Sequence, residues 1–294
     1  MWTGIDILLQ LQNIRLDAPA IVDIFFETVS NPLVYELPIL IVAFIHLWFI
    51  DKDDGRLILT TMLTAICLTN IVKCIVKEPR PWVIDNNIHP SETAMEGAKG
   101  YSFPSGHSTV SVSGYGQMLS LTGNRYLRIG IIVFISSIVF SRLYLGVHTP
   151  LDVIVGVTIG IVMIIANLYL SRISERDDRT FYAVQMMYVM FAIATIICIS
   201  IVDTISRSQA VMVGALLGVA LGSMVEHRYV GHMPSGFTRK GACACIISVV
   251  IMASIFAIGY LMPIIVSSIS AAMVMVMAVA FVPYILKRCS DHVE

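Results

Sequence analysis

The chain has 294 residues, 57% hydrophobic and 13% charged, with mean hydropathy +0.82 and a formal net charge of -1. A soluble domain carries about a quarter charged residues, so this composition excludes one. The balanced charge gives no footing for a nucleic-acid partner. The expected fold class is all-α, a polytopic membrane helix bundle, because unpaired backbone groups are not tolerated in lipid.

In chain order, residues 1–33 come first as a separate segment. Trp2, Ile5, Leu8 and Leu9 recur at helical spacing, with Asp6, Gln10 and Gln12 between them. That pattern fits either an interfacial helix lying flat on the bilayer or an amphipathic helix packed on the bundle. It lacks the basic start of a cleavable signal peptide. Nine apolar stretches follow, at 34–50, 57–77, 105–122, 128–147, 151–171, 180–202, 207–225, 240–260 and 263–286. Pro38 marks a kink or a first turn in the first of them. The third, SGHSTVSVSGYGQMLSLT, is the most polar and suits burial among other helices.

The basic residues orient the bundle. Twelve of the nineteen Lys and Arg fall on the side holding the loops 51–56, 171–179 and 226–240, the stretch around Arg125 and Arg128, and the C-terminal tail. The positive-inside rule makes that side cytoplasmic. The N-terminus and the other pole then face the periplasm, the cell exterior or a lumen. Six cysteines lie mostly in apolar runs, and the pair Cys243 and Cys245 makes neither a metal site nor a disulfide framework.

Three polar clusters converge on the outer pole. In KCIVKEPRP, 73–81, Lys73 and Lys77 are four apart on one helix face, and Pro79 and Pro81 leave Arg80 at the helix mouth. In PSGH, 104–107, Ser105 is placed to cap a helix and Gly106 lets a ligand approach its backbone. In SRLYLGVHTPLD, 141–152, Arg142 closes a span, Pro150 suits a first helical position, and Asp152 stands four residues after His148. Cations, a hydroxyl and free backbone N–H groups at one spot are what a phosphoryl group requires. With Asp152 setting its tautomer, His148 is the expected nucleophile. His107, with no carboxylate in its motif, is the expected general acid. No cofactor or metal is called for, since cations already fill that role. His46, His89, His227, His232 and His292 read as ordinary polar residues.

These motifs resemble those of the type 2 phosphatidic acid phosphatase (PAP2) superfamily, KxxxxxxRP, PSGH and SRxxxxxHxxxD, without a gap or substitution. The resemblance covers about 57–171. It implies a six-helix core, here 34–202, with 203–294 as an added transmembrane region of about three spans. It also implies phosphate binding by Lys73, Arg80, Ser105, Gly106 and Arg142, catalysis by His148 and His107, and orientation of His148 by Asp152. The expected activity is metal-independent hydrolysis of a membrane lipid phosphate or diphosphate through a phosphohistidine. The outward-facing site suits an undecaprenyl diphosphate-like substrate. Phosphatidylglycerophosphate, phosphatidate and sphingoid-base phosphates are alternatives, as is a non-catalytic lipid-phosphate binding or transport role. A vanadium haloperoxidase would share the anion cradle but is soluble. The expected partners are the lipid substrate and the bilayer. The added helices suit a homodimer contact, a wider lipid groove or a thicker bundle. The loop 82–103 is either a lid that reads the head group or a plain connection. A second Pro-Ser-Gly at 234–236 precedes Phe237 rather than His and falls on the wrong side.

Overall fold

The computed structural model describes residues 4–98, 100–202, 207–231 and 239–291, without the side chains of 202, 239–244 and 289–291. Expectations for Trp2, His232, His292, the 234–236 repeat and the Cys243 side chain fall outside these. The described residues form fifteen α-helices in chain order. They are α1 (Ile5–Asp17), α2 (Ala20–Val29), α3 (Pro32–Tyr35), α4 (Leu37–Ile45), α5 (Lys52–Val76), α6 (Pro81–Ile84), α7 (Glu92–Gly97) and α8 (Gly106–Leu121). There follow α9 (Arg125–Tyr144), α10 (Pro150–Ser174), α11 (Asp178–Val202), α12 (Arg207–Tyr229), α13 (Arg239–Leu261), α14 (Ile264–Val276) and α15 (Val282–Asp291). π-Helical turns at His46–Ile50 and Met277–Phe281 continue α4 and join α14 to α15. Pro38 lies in the first turn of α4 and kinks nothing.

Nine spans are expected, but among the described residues seven helical stretches are long and apolar enough to cross a membrane. These seven are Pro32–Ile50, Lys52–Ile84, Arg125–Tyr144, Pro150–Ser174, Asp178–Ile201, Arg207–Tyr229 and Ile264–Arg288. In α13 the apolar described stretch is Cys245–Leu261. The expected span 105–122 is corrected to α8, whose 16 residues rise only about 24 Å. Its neighbours supply the reason. α8 packs on α5, α9 and α10, and Ser108, Thr109, Ser111, Ser113 and Gln117 are buried on it. A helix enclosed this far by other helices needs neither full length nor an apolar exterior.

Glycines set how closely α8 can be enclosed. Gly156 and Gly160 lie one turn apart on α10. A Cβ at Gly156 would stand 2.6 Å from the Ser105 carbonyl oxygen, and one at Gly160 would stand 2.7 Å from Val112 Cβ. Small residues at this spacing let helix backbones touch.

The C-terminal helices are joined to the rest through buried polar contacts. At the pole opposite α8's start, Lys52 Nζ lies 2.7 Å from Glu226 Oε1, and Arg56 Nη1 lies 3.7 Å from Glu226 Oε2. Trp48 Nε1 donates to the Ala278 carbonyl at 2.8 Å. One hydrophobic cluster runs from Val29 through Leu63 and Leu216 to Val282.

The N-terminal segment packs on the bundle. Leu8 and Arg15 are buried, and Arg15 donates to the His89 carbonyl. Gln12 Nε2 donates to the Asn87 carbonyl, and Gln12 Oε1 accepts from the His89 N–H. Tyr144 donates its hydroxyl proton to Asp23. The outer side of the segment still presents Ile14, Leu16, Ile21 and Ile24.

Gly156→Val should force α10 away from the Ser105 carbonyl. We expect loss of monodisperse protein in detergent by size-exclusion chromatography. Gly130→Val, with nothing within 4 Å of the added methyl groups' anchor, should elute as wild type.

Candidate active site

α5, α8, α9 and α10 share one pole, and the three polar clusters meet there. α5 stops at Val76 because Lys77 adopts a left-handed conformation, φ 53. Lys77 is therefore exposed off the helix end and does not share the face of Lys73 as expected. Lys73 Nζ donates to the carbonyls of Tyr101 (2.7 Å) and Ser102 (3.2 Å). Arg80 is held in extended backbone just before Pro81. Its Nε donates to the Gly100 carbonyl (3.0 Å), and its Nη1 donates to the Val147 carbonyl (3.1 Å).

The same Nη1 lies 3.1 Å from His148 Nε2. A guanidinium can only donate, so Nε2 must accept and carry its lone pair. The ring proton is then on Nδ1, which lies 3.2 Å from Asp152 Oδ2. Asp152 is fixed in turn by α10's capping box. Thr149 Oγ1 accepts from the Asp152 N–H, and Asp152 Oδ2 accepts from the Thr149 N–H at 2.8 Å. Burial first, and then the Arg80 charge, lower the His148 pKa well below the ordinary imidazole value. The ring is therefore neutral at neutral pH, with its tautomer set from both sides.

Ser105 caps α8, its Oγ accepting from the Ser108 N–H at 3.4 Å and from the Ser108 hydroxyl at 3.0 Å. Gly106 begins the helix, and a Cβ there would meet nothing within 4 Å, so the backbone is open to a ligand. His107 Nε2 lies 3.2 Å from the Ser30 carbonyl, which can only accept. Its ring centroid is 5.0 Å from that of Tyr35. Arg142 is 3% exposed, so it does not snorkel to an interface. Its Nε donates to Ser141 Oγ at 3.3 Å, while its buried Nη2 has no partner.

A cavity of about 400 Å³ brings these together. Lys73, Arg80, Gly106, His107, Arg142 and His148 all line it. Ser105 and Asp152 stand behind the lining, Ser105 N–H donating to the Asp152 carbonyl at 2.9 Å. The loop 82–103 is more than a plain connection, since Tyr101 and Ser102 hold Lys73 and its Gly97 and Ala98 line the cavity.

Four residues at the site were not anticipated. Ser102, wholly buried, donates to Asp152 Oδ2 at 2.6 Å. Its nearness to PSGH in sequence was the available signal. Glu36 accepts from the Tyr35 hydroxyl at 2.8 Å and lines the cavity. Asn70 and Gln209 line it as well and bond to each other at 3.0 Å. Asn70 lies one turn before Lys73, so helical spacing would have found it. Nothing local pointed to Gln209.

Comparison with known proteins finds a family match over the stretch that holds these clusters. Residues 54–176 match the PAP2 superfamily. The PAP2 match runs from α5 through α10 and holds all three clusters. The curated relatives include lipid phosphate phosphatase delta of Arabidopsis thaliana, 30% identical over 60% of this chain and 43% of that protein. The undecaprenyl-diphosphatase of Sulfolobus acidocaldarius is 31% identical over 37% of this chain and 51% of that protein. A probable sphingosine-1-phosphate phosphatase of Dictyostelium discoideum is 27% identical over 69% of this chain and 52% of that protein. The chain thus spans about half the length of the curated relatives it matches. No solved structure matches it.

Inorganic phosphate should bind the cavity in detergent micelles. Removing one charge-assisted donor costs about 1.5–3 kcal/mol, so Arg142→Ala should weaken binding about 10- to 100-fold by calorimetric titration. Arg128→Ala, at the opposite pole, should leave it unchanged.

Proposed function

We propose that this protein is a lipid phosphatase that hydrolyses a membrane lipid phosphate or diphosphate without a metal, through a phosphohistidine at His148. The observation that carries the reading is the pairing of a neutral, tautomer-fixed His148 with a buried arginine donor, Arg142 Nη2, that has no partner. A buried unpaired donor is costly, and an anionic oxygen would satisfy it. The PAP2 match over 54–176 and the names of the relatives support the same chemistry.

In the proposed reaction the scissile phosphoryl group sits among Lys73, Arg80, Arg142 and the α8 N-terminus. Arg80 Nη1 moves from His148 Nε2 to a phosphoryl oxygen and uncovers the lone pair. Nε2 attacks phosphorus while the bond to the lipid oxygen breaks, and His107 gives that oxygen a proton. Asp152 stabilises the positive charge that develops on the ring. His107 then takes a proton from water, water attacks phosphorus, the P–N bond breaks, and phosphate leaves. The fixed cations stabilise the changing oxygen charge at each step, the part a metal plays elsewhere.

The first reading of the substrate is an undecaprenyl diphosphate-like lipid. It is supported by the outward-facing pole that the basic residues indicate and by the name of the Sulfolobus relative. A sphingoid-base phosphate is the second, supported by the name of the Dictyostelium relative, which aligns over more of this chain. In the proposed topology the site opens to the periplasm, exterior or lumen, with the C-terminus cytoplasmic.

The test is phosphate release by purified protein in detergent from both lipids, with phosphatidate and phosphatidylglycerophosphate beside them. Wild type should turn over at least one of them, and EDTA should leave the rate unchanged. His148→Ala should abolish turnover and any acid-labile phosphoenzyme. His107→Ala should slow poor leaving groups most. Normal hydrolysis by His148→Ala would refute the nucleophile, and EDTA inhibition reversed by Mg2+ would refute the metal-free mechanism.

A further inference from the structure

The cavity changes character with depth. α5 runs toward the catalytic pole, so Lys73, Asn70 and Ile66 lie at successive turns on it, and all three line the cavity. The rise between Lys73 and Asn70 is about 4.5 Å. Cations surround the phosphate level. Val110 and Met212 join Ile66 in the apolar part. Asn70 stands between the two.

Asn70 is 3% exposed. Its Oδ1 accepts from Gln209 Nε2 at 3.0 Å, while its Nδ2 has no partner. A buried amide with one end fixed and its donor end unsatisfied is an expensive arrangement in a bundle interior. Arg142 Nη2 is in the same state. The difference is charge: Arg142 suits a phosphoryl oxygen, whereas a neutral amide N–H suits a weaker acceptor.

Gln209 belongs to α12, outside the residues 54–176 that carry the PAP2 match. Ser208, Met212 and Tyr260 line the same cavity from α12 and α13. The C-terminal helices therefore form a wall of the site as well as packing beside it.

Resting on the phosphatase reading above, we infer that Asn70, oriented by Gln209, is a specificity-determining residue that donates to an acceptor oxygen of the substrate on the tail side of the scissile phosphate. Two chemistries supply such an oxygen: the inner phosphate of a polyprenyl diphosphate and the hydroxyl of a sphingoid-base phosphate. A polyprenyl monophosphate has only hydrocarbon at that depth. It would leave Asn70 Nδ2 unpaired and gain nothing from it.

The experiment measures kcat/KM of wild type, Asn70→Ala and Gln209→Ala on a polyprenyl diphosphate, the monophosphate of the same polyprenol and a sphingoid-base phosphate. One lost hydrogen bond corresponds to about a tenfold change. We expect Asn70→Ala to lose about tenfold on the diphosphate, on the sphingoid-base phosphate, or on both, and less than about twofold on the monophosphate. The arm that responds identifies the acceptor. Gln209→Ala should shift the same ratio in the same direction, and it carries the test if Asn70→Ala does not fold. Equal losses on all three lipids would assign Asn70 a structural role and overturn the inference, as would no loss on any. Wild type inactive on every lipid would overturn the phosphatase reading and this inference with it, an outcome distinct from active wild type with an unchanged ratio.

Discussion

The Asp152 carboxylate holds together the pole where the three polar clusters meet. Its Oδ2 takes the Thr149 N–H, the Ser102 hydroxyl and the His148 Nδ1 proton. These bonds cap α10, anchor the segment leading into α8, and orient the imidazole. The Asp152 carbonyl also receives the Ser105 N–H, which sets α8 against α10. Moving this one residue would disturb both helix starts and the His148 ring together. The glycine face of α10 serves the same constraint, since only there can α8 come close enough for Ser105 to reach it.

Much of the site was legible because its chemistry is local. PSGH is a cap and a helix start within four residues, and His148 with Asp152 is one helical turn. The cap, the Pro150 start and the His–Asp contact all follow from spacing. Reading by spacing failed with Lys77, where the helix ended one residue early in a left-handed turn. Counting spans by hydropathy matched seven of the nine expected and missed at α13, whose apolar described stretch is Cys245–Leu261, and at α8, whose surroundings are protein. The apolar criterion measures exposure to lipid, and an enclosed helix is free of it.

Long-range contacts were beyond a sequence reading. Trp48 meets Ala278, Lys52 meets Glu226 and Asn70 meets Gln209, each across more than a hundred residues. The close approach of α12 and α14 was in principle visible. Gly214, Gly218 and Gly222 recur every four residues on α12, and a Cβ at Gly214 or Gly218 would overlap the α14 backbone. That stripe brings α14 flush against α12, which carries Gln209 to the cavity wall at its other face. Likewise the N-terminal segment, outside the PAP2 match, places Ser30 on His107 and Arg15 on the loop that holds Lys73. Elements outside the matched core therefore complete the enclosure of the motif residues.

The two unsatisfied donors in the cavity, on Arg142 and Asn70, bear on the folded state of the whole bundle. An oxyanion bound in the cavity could accept from both donors. Any oxyanion that fills the cavity adds stability by mass action, in proportion to the logarithm of its concentration. In the proposed reaction the phosphate product is such an oxyanion. A bundle of this construction would then be firmer with phosphate bound than without it.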